Sequence, residues 1–228
     1  MKFLIIRIGA IGDVIMTTPI IKAIKSKYPS SYIIYTVGNW ASEVLKNNPY
    51  IDRLIVVEED IFLKKKTKEI QQLINKLKSE QFDYGFALDK SWLFNLLLFM
   101  CSIKKRYGFS REHYLINKIL LTKQVRFSGK KKEYQYYSDL IYTSLGLKYK
   151  YSNMALYPDK TEKIAVDRYM EGNKWKFIGI APGGAVNPGQ KALQKRWPKK
   201  YYNKLINHLL LKGKQVFVLG GGGDRHYN

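Results

Sequence analysis

Four short apolar runs, at residues 3–8, 32–37, 53–57 and 84–88, recur along the first half of the chain, each followed by a segment of helical character. That alternation leaves few folds open. Strands rich in Ile, Val and aromatic residues, with no polar residue at every second position, are buried on both faces. A helix between consecutive strands carries the chain back to the starting edge, so the strands run parallel and helices cover both faces of the sheet. Helices are predicted at 14–28, bent or delayed by Pro19 and ended by Tyr28-Pro29, and at 41–46, closed by Asn47-Asn48-Pro49. Further helices are predicted at 64–79, with Ile70, Leu73, Ile74 and Leu77 inward, at 91–102, and at 132–145, where Gly146 supplies a C-cap.

Residues 149–159 are polar and contain proline, which reads as a linker. A second cycle follows: helix 161–170, strand 177–181, loop 182–197, helix 198–211 and strand 216–219. Two parallel strands and one crossover helix cannot cover both faces of a sheet. A Rossmann-like domain over 1–158 is therefore expected beside an incomplete second one over 159–228.

Charge and cysteine use narrow the function. Forty Lys and Arg against eighteen Asp and Glu leave +22, which favours anionic partners, although the lysines are spread widely. Cys101 is the single cysteine, and His113, His208 and His226 lie far apart, so neither an internal disulfide nor a zinc cluster is expected. The first residues are apolar only briefly before Arg7, unlike a signal peptide, and the longest apolar stretch, 92–101, is about half a membrane span. These features suggest a cytoplasmic protein that uses no metal. Nucleic acid is not an expected partner: Tyr134, Tyr136 and Tyr137 sit among charges at helical spacing, and no RNA-binding signature occurs.

Two loops are candidates for chemistry. Gly9-Ala10-Ile11-Gly12-Asp13 joins the first strand to the first helix, where ligands approach the carboxyl ends of parallel strands. It lacks the third glycine of a dinucleotide fingerprint, and no acid follows the second strand, so nicotinamide binding is not expected. Asp13 reads either as the N-cap of that helix or as a carboxylate able to take a proton from an incoming hydroxyl. In the second cycle, Ala181-Pro182-Gly183-Gly184 is followed by Lys195-Arg196-Trp197-Pro198, and residues 172–223 contain ten Lys or Arg and no acid. Pro198 suits the first position of a helix, which would put Lys195 and Arg196 beside free N–H groups and the positive end of the dipole. That is a phosphate site, or else a solvated basic loop anchored by Trp197. The glycines at 220–223, before Asp224, line a nucleotide cleft or form a flexible turn.

These motifs resemble glycosyltransferase family 9, the heptosyltransferases of lipopolysaccharide core assembly. The likeness begins with Arg7-Ile8-Gly9-Ala10-Ile11-Gly12-Asp13-Val14, Thr17-Thr18-Pro19 and Tyr28-Pro29, and continues with Asn48-Pro49-Tyr50-Ile51-Asp52. Phe82-Asp83, Asp89, Arg106-Tyr107-Gly108, Ala181-Pro182-Gly183-Gly184, Lys195-Arg196-Trp197-Pro198 and Val218-Leu219-Gly220-Gly221 complete it in order. The resemblance implies a GT-B fold, in which one Rossmann-like domain takes an anionic lipid-linked saccharide acceptor and the other a nucleotide-sugar, typically ADP-heptose. It implies inverting transfer without a metal or other cofactor, and possible peripheral association with the inner membrane. Asp13 would be the general base, Gly9 and Gly12 would shape the acceptor-side loop, and Lys195, Arg196, Gly183 and Gly184 would hold the donor diphosphate. The family's Asp-x-Gly-x-x-His-type donor segment is missing from this sequence, which reads as a truncated member. The alternative is a non-catalytic remnant that binds an anionic glycolipid or partner through its basic surface.

Overall fold

The computed structural model describes residues 1–111, 113–148, 154–171, 177–184, 186–187, 189–191 and 193–221. They fall into two compact units, Met1–Pro158 and Asp159–Asn228.

The first unit is a six-stranded sheet in the order β3-β2-β1-β4-β5-β6, with every neighbouring pair parallel. Its strands are β1 (Lys2–Arg7), β2 (Tyr32–Gly38), β3 (Arg53–Val57), β4 (Tyr84–Ala87), β5 (Lys105–Ser110) and β6 (Lys123–Arg126). β1 and β2 are almost wholly buried, as expected for central strands with no polar alternation. One face carries α2 (Thr18–Lys27) and α7 (Glu133–Leu145), whose Ile20, Ile21, Ile24, Tyr137, Leu140 and Ile141 pack on Phe3, Ile5, Tyr35 and Phe86. The other carries α4 (Thr67–Lys78), α5 (Trp92–Met100) and α6 (Tyr114–Leu120), with Leu73, Ile74, Leu77, Leu97, Leu98 and Leu120 against Leu4, Ile6 and Ile34. Gly146 ends α7 at φ 66°, a left-handed cap that favours glycine.

Three regions differ from the sequence reading. The helix expected at 14–28 is two helices, α1 (Ile11–Ile15) and α2, parted at Met16 and Thr17, with Pro19 in the first turn of α2. Thr17 Oγ1 makes the break a fixed feature: it donates to the Val14 carbonyl (2.7 Å) and shares a 2.7 Å bond with the buried Tyr35 hydroxyl. The helix expected at 64–79 begins later, as α4 at Thr67, and an unexpected short helix, α3 (Asp60–Leu63), precedes it, the two separated by a turn with Lys65 at φ 49°. Finally, β5, α6 and β6 stand where no elements were expected. Their sequences hide the β pattern behind cations, Lys-Arg at the start of β5 in Lys-Arg-Tyr-Gly-Phe-Ser and Lys and Arg at the two ends of edge strand β6 in Lys-Gln-Val-Arg. The buried Asn95 side chain ties these elements together, donating to the Phe109 carbonyl (2.9 Å) and to Asn117 Oδ1 (2.8 Å).

The second unit holds α8 (Lys160–Glu171), β7 (Phe177–Ile180), a two-residue ladder of β8 (Val186–Asn187) with β9 (Gln190–Lys191), α9 (Lys199–Leu211) and β10 (Gln215–Val218). β10 pairs with β7 in parallel, with Phe177 edge-on to Phe217 at 5.0 Å. Ile180 is its one buried large hydrophobic residue among those described, while Leu211 and Leu219 are exposed. Part of the linker expected at 149–159, and Gly222, Gly223, Asp224 and His226, lie outside the described residues.

Cys101 reports on the first unit. Its thiol is buried beneath α5, and that burial pushes its pKa up to about 12. A thiol-specific reagent at pH 8 is expected to leave the folded chain unlabelled and to react fully once urea has opened the sheet. Rapid labelling without urea would show that α5 does not seal this side of the core.

Candidate active site

The strand order reverses between β1 and β4, and a ligand of an open parallel sheet binds beyond the carboxyl ends of strands at such a switch point. Arg7 is the last residue of β1, and Leu88 and Asp89 directly follow β4. The Arg7 side chain is only 5% exposed, so its charge must be met inside the protein. It is met on three sides: Nη1 donates to the Leu88 carbonyl (3.1 Å) and to Asp89 Oδ2 (2.9 Å), and Nη2 donates to Asp13 Oδ2 (2.5 Å). Burial opposes the charge. Tyr137, Asp89, Asp13 and Tyr35 outweigh it and hold the arginine pKa above its ordinary value.

Asp13 lies in the first turn of α1, which begins at Ile11 with Ala10 as its N-cap. Its side chain therefore caps nothing, and the capping reading of Asp13 is replaced by an ion pair with Arg7. Asp13 Oδ2 is occupied by Arg7. Oδ1 makes no hydrogen bond among the described residues, and the side chain is 33% exposed. The backbone at Gly9 runs alongside the guanidinium, at 3.6 Å from where a β-carbon would stand, whereas Gly12 borders open space. The two loop glycines thus differ: one lies over the buried charge, the other beside the accessible carboxylate.

Asp89 turns the chain into the next helix. Its Oδ1 accepts from the Ser91 backbone N–H (3.1 Å), and Ser91 Oγ accepts from Leu93 N–H to cap α5. Asp89, Lys90, Ser91, Trp92 and Arg111 line a cavity of about 410 Å³. Lys90 pairs with Glu133 (2.8 Å), which accepts a hydrogen bond from the buried Tyr137 hydroxyl (3.2 Å). Burial raises the pKa of the Tyr137 and Tyr35 phenols, so both remain neutral at working pH behind Arg7.

In the second unit, the 181–184 loop leaves the carboxyl end of β7, and Leu219 to Gly221 leave that of β10. Gly184 has φ 86°, which a side chain would strain, and its carbonyl accepts from Arg196 Nε at 2.8 Å. That bond draws Gly183-Gly184 and Lys195-Arg196 together. Lys195 ends a single 3₁₀ turn and is exposed. Pro198 is the N-cap of α9 rather than its first helical residue, and Trp197 stacks on Tyr201 (5.3 Å) and meets Tyr202 edge-on (5.1 Å). Lys199 and Lys200 occupy the first turn of this 13-residue helix, so its N-terminus is ringed by cations.

Sequence reasoning singled out Asp13 but gave no role to Arg7 or Asp89. The signal was present: an arginine closing a strand with no other polar residue after Lys2 has to find an anion within the fold. Among the described residues, no group of three His, Cys, Asp or Glu is placed to hold a metal ion, and no helix is long and apolar enough to cross a membrane.

Replacing Arg7 with Met keeps the length of the side chain and removes its charge and donors. Urea unfolding of Arg7→Met is expected to show a loss of about 2–4 kcal/mol, since two carboxylates and a carbonyl lose their shared partner. An unchanged midpoint would mean that the guanidinium does not hold the switch point together.

The sequence profile of glycosyltransferase family 9 (heptosyltransferase) matches residues 70–227. The chain is similar to lipopolysaccharide heptosyltransferase 2 of Escherichia coli K12, 23% identical over 98% of this chain and 64% of that protein. It is also similar to lipooligosaccharide heptosyltransferase 2 of Haemophilus ducreyi, 23% identical over 99% of this chain and 65% of that protein. Among solved structures, a glycosyl transferase family 9 protein from Veillonella parvula superposes with a TM-score of 0.80 at 18% identity, covering 99% of this chain and 64% of its own. ADP-heptose lps heptosyltransferase II of E. coli gives 0.75 at 21%, covering 100% and 66%. The chain thus spans about two thirds of the length of these relatives, and its fold is theirs, α/β of the GT-B type. By its matched residues and its fold, this chain belongs to glycosyltransferase family 9.

Proposed function

We propose that the chain serves inverting transfer of a heptose or related sugar from a nucleotide-sugar, ADP-heptose by analogy with its relatives, to a lipopolysaccharide core acceptor. The observation that carries this reading is the Asp13 carboxylate at the switch point, one oxygen clamped by Arg7 and the other without a protein partner. A base needs that arrangement: a fixed orientation and an accessible lone pair within reach of a hydroxyl. The acceptor hydroxyl oxygen bonds to the anomeric carbon as its proton passes to Asp13. The bond from that carbon to the diphosphate oxygen breaks, and its electron pair leaves with the nucleoside diphosphate.

The leaving charge falls to the second unit. Lys195, with the cation-ringed start of α9 and the Gly183-Gly184 loop, suits a diphosphate that gains negative charge as it departs. Arg196, through its bond to the Gly184 carbonyl, shapes that loop as well as adding charge. Nothing in this scheme calls on a metal or a cofactor. A lipid-linked, anionic acceptor agrees with the +22 balance and with work at the cytoplasmic surface of a membrane.

Transfer from ADP-heptose to purified core lipopolysaccharide tests the base. Asp13→Asn is expected to lower kcat by about 10²–10⁴-fold, with donor affinity in calorimetry unchanged; surviving turnover would remove Asp13 from the role. Calorimetry with ADP separately tests the second unit. Lys195→Gln is expected to weaken ADP binding while adenosine, which lacks the diphosphate, is unaffected, and equal ADP affinity in the variant would take Lys195 out of the donor site. Acceptor binding without any turnover by the unaltered chain would favour the non-catalytic, glycolipid-binding alternative.

A further inference from the structure

The sheet face that carries α5 and α6 is left with an apolar outer surface. On α5, Leu93, Phe99 and Met100 are exposed, and the half-buried Leu96 lies between Leu93 and Met100 at i+3. On α6, Leu115 is 74% exposed and Ile119 70%, with Ile116 next to them, whereas Asn117 and Leu120 point inward. The two groups belong to one rigid surface, because the buried Asn95–Asn117 hydrogen bond fastens α6 to α5.

The charge around this surface is predominantly positive. From Lys90 to Leu121, the segment that carries α5 and α6, the sequence has six Lys or Arg and one acid, Glu112. Lys104, Arg111 and Lys118 are exposed, and the Arg106 guanidinium lies over the Phe99 ring at 5.2 Å. Just beyond the carboxyl end of α5, Lys78, Lys104 and Lys105, with the single acid Asp83, line a cavity of about 670 Å³. A second copy of the chain would bring like charges together on such a surface. An anionic bilayer supplies both complements, acyl chains for the apolar residues and phosphates for the rim, and reversible surface anchoring takes both signals together.

We propose that the α5–α6 face docks on the surface of a bilayer containing anionic lipid. The inference rests on the glycosyl-transfer reading only for its purpose, since a lipid-linked acceptor lies in that bilayer. α5 begins three residues after Asp89, so the docked face adjoins the end of β4 at which Asp89 meets Arg7.

Sedimentation of the full chain with vesicles free of any glycolipid tests the docking apart from transfer. The chain is expected to bind vesicles of phosphatidylcholine with phosphatidylglycerol and not those of phosphatidylcholine alone. Leu115→Ser with Ile119→Ser, and separately Lys104→Gln with Lys118→Gln, should each weaken partition by about tenfold or more, with unchanged circular dichroism and melting. Lys163→Gln with Lys204→Gln removes equal charge from the second unit and should leave partition intact. The proposal is overturned if the Leu115/Ile119 variant binds as the unaltered chain does, if the second-unit variant loses as much, or if no vesicle binding occurs. It is equally overturned if the Leu115/Ile119 pair proves to hold a dimer in solution instead.

Discussion

A single buried guanidinium organises the carboxyl end of this sheet. Arg7 cannot leave its place, because it ends one of the two central strands and lies buried near Tyr137 and Tyr35. It cannot remain there uncompensated, because an isolated charge out of water costs far more than any one contact returns. Asp13 and Asp89 are thereby drawn to one point from elements on either side of β1, one from the turn into α1 and one from the end of β4. The position of the accessible Asp13 oxygen is a consequence of that electrostatic demand. Loop stiffness alone would not fix it, since Ala10 gives α1 no side-chain cap and Gly12 borders open space.

The opposite end of the same strands shows the contrast. There Lys2 pairs with Glu80 and Arg53 with Glu80, and the Lys2 backbone N–H donates to Asp83. The Lys2 hydrogen bond is the main cause that lowers the Glu80 pKa, so its stabilising contribution is present at neutral pH and fades as the solution is acidified through the folded value. These pairs are wetter, and such pairs contribute at most about 1 kcal/mol each. One end of the sheet is merely pinned, while the other concentrates charge where water is scarce and electrostatic interactions are strong. Parallel topology creates that asymmetry by sending all the strand carboxyl ends, and the helix N-termini that follow them, to one side.

Much of this was legible in the residues. The central strands read directly, since residues 3–8, 32–37, 53–57 and 84–88 are apolar runs that only a doubly covered sheet can bury. Asp13 was legible as a candidate because of its place after β1, but not its partner: a distance of 2.5 Å across six residues and a second carboxylate 82 residues from Arg7 belong to the fold rather than to any local pattern. β5 and β6 were hidden for a different reason. The lysine and arginine of β6 are tolerated because that strand is the sheet edge, and those of β5 because they open the strand at its solvent-facing start, both of them consequences of topology. The break between α1 and α2 depends on Thr17 meeting Tyr35, again a contact between segments with no shared periodicity.

The net charge gains meaning only once it is divided by location. A +22 chain read as a total suggests any anion, nucleic acid included. In the fold, Arg7 is consumed internally by carboxylates, Lys195 and Arg196 stand with Lys199 and Lys200 around a helix start, and Arg106 and Lys118 border an apolar surface. Each setting suits a different anion. A helix N-terminus with glycine loops suits a compact diphosphate, because backbone donors must come close. A broad apolar stripe with a cationic rim suits a surface that is oily within and charged at its edge. A nucleic-acid site would need cations spaced along a groove with aromatic faces open to bases, and of the four tyrosines of α7 two, Tyr136 and Tyr137, are instead buried in the first core, while Tyr142 is exposed. Where each cation stands, and beside which groups, thus says more about the anion it suits than the total charge does.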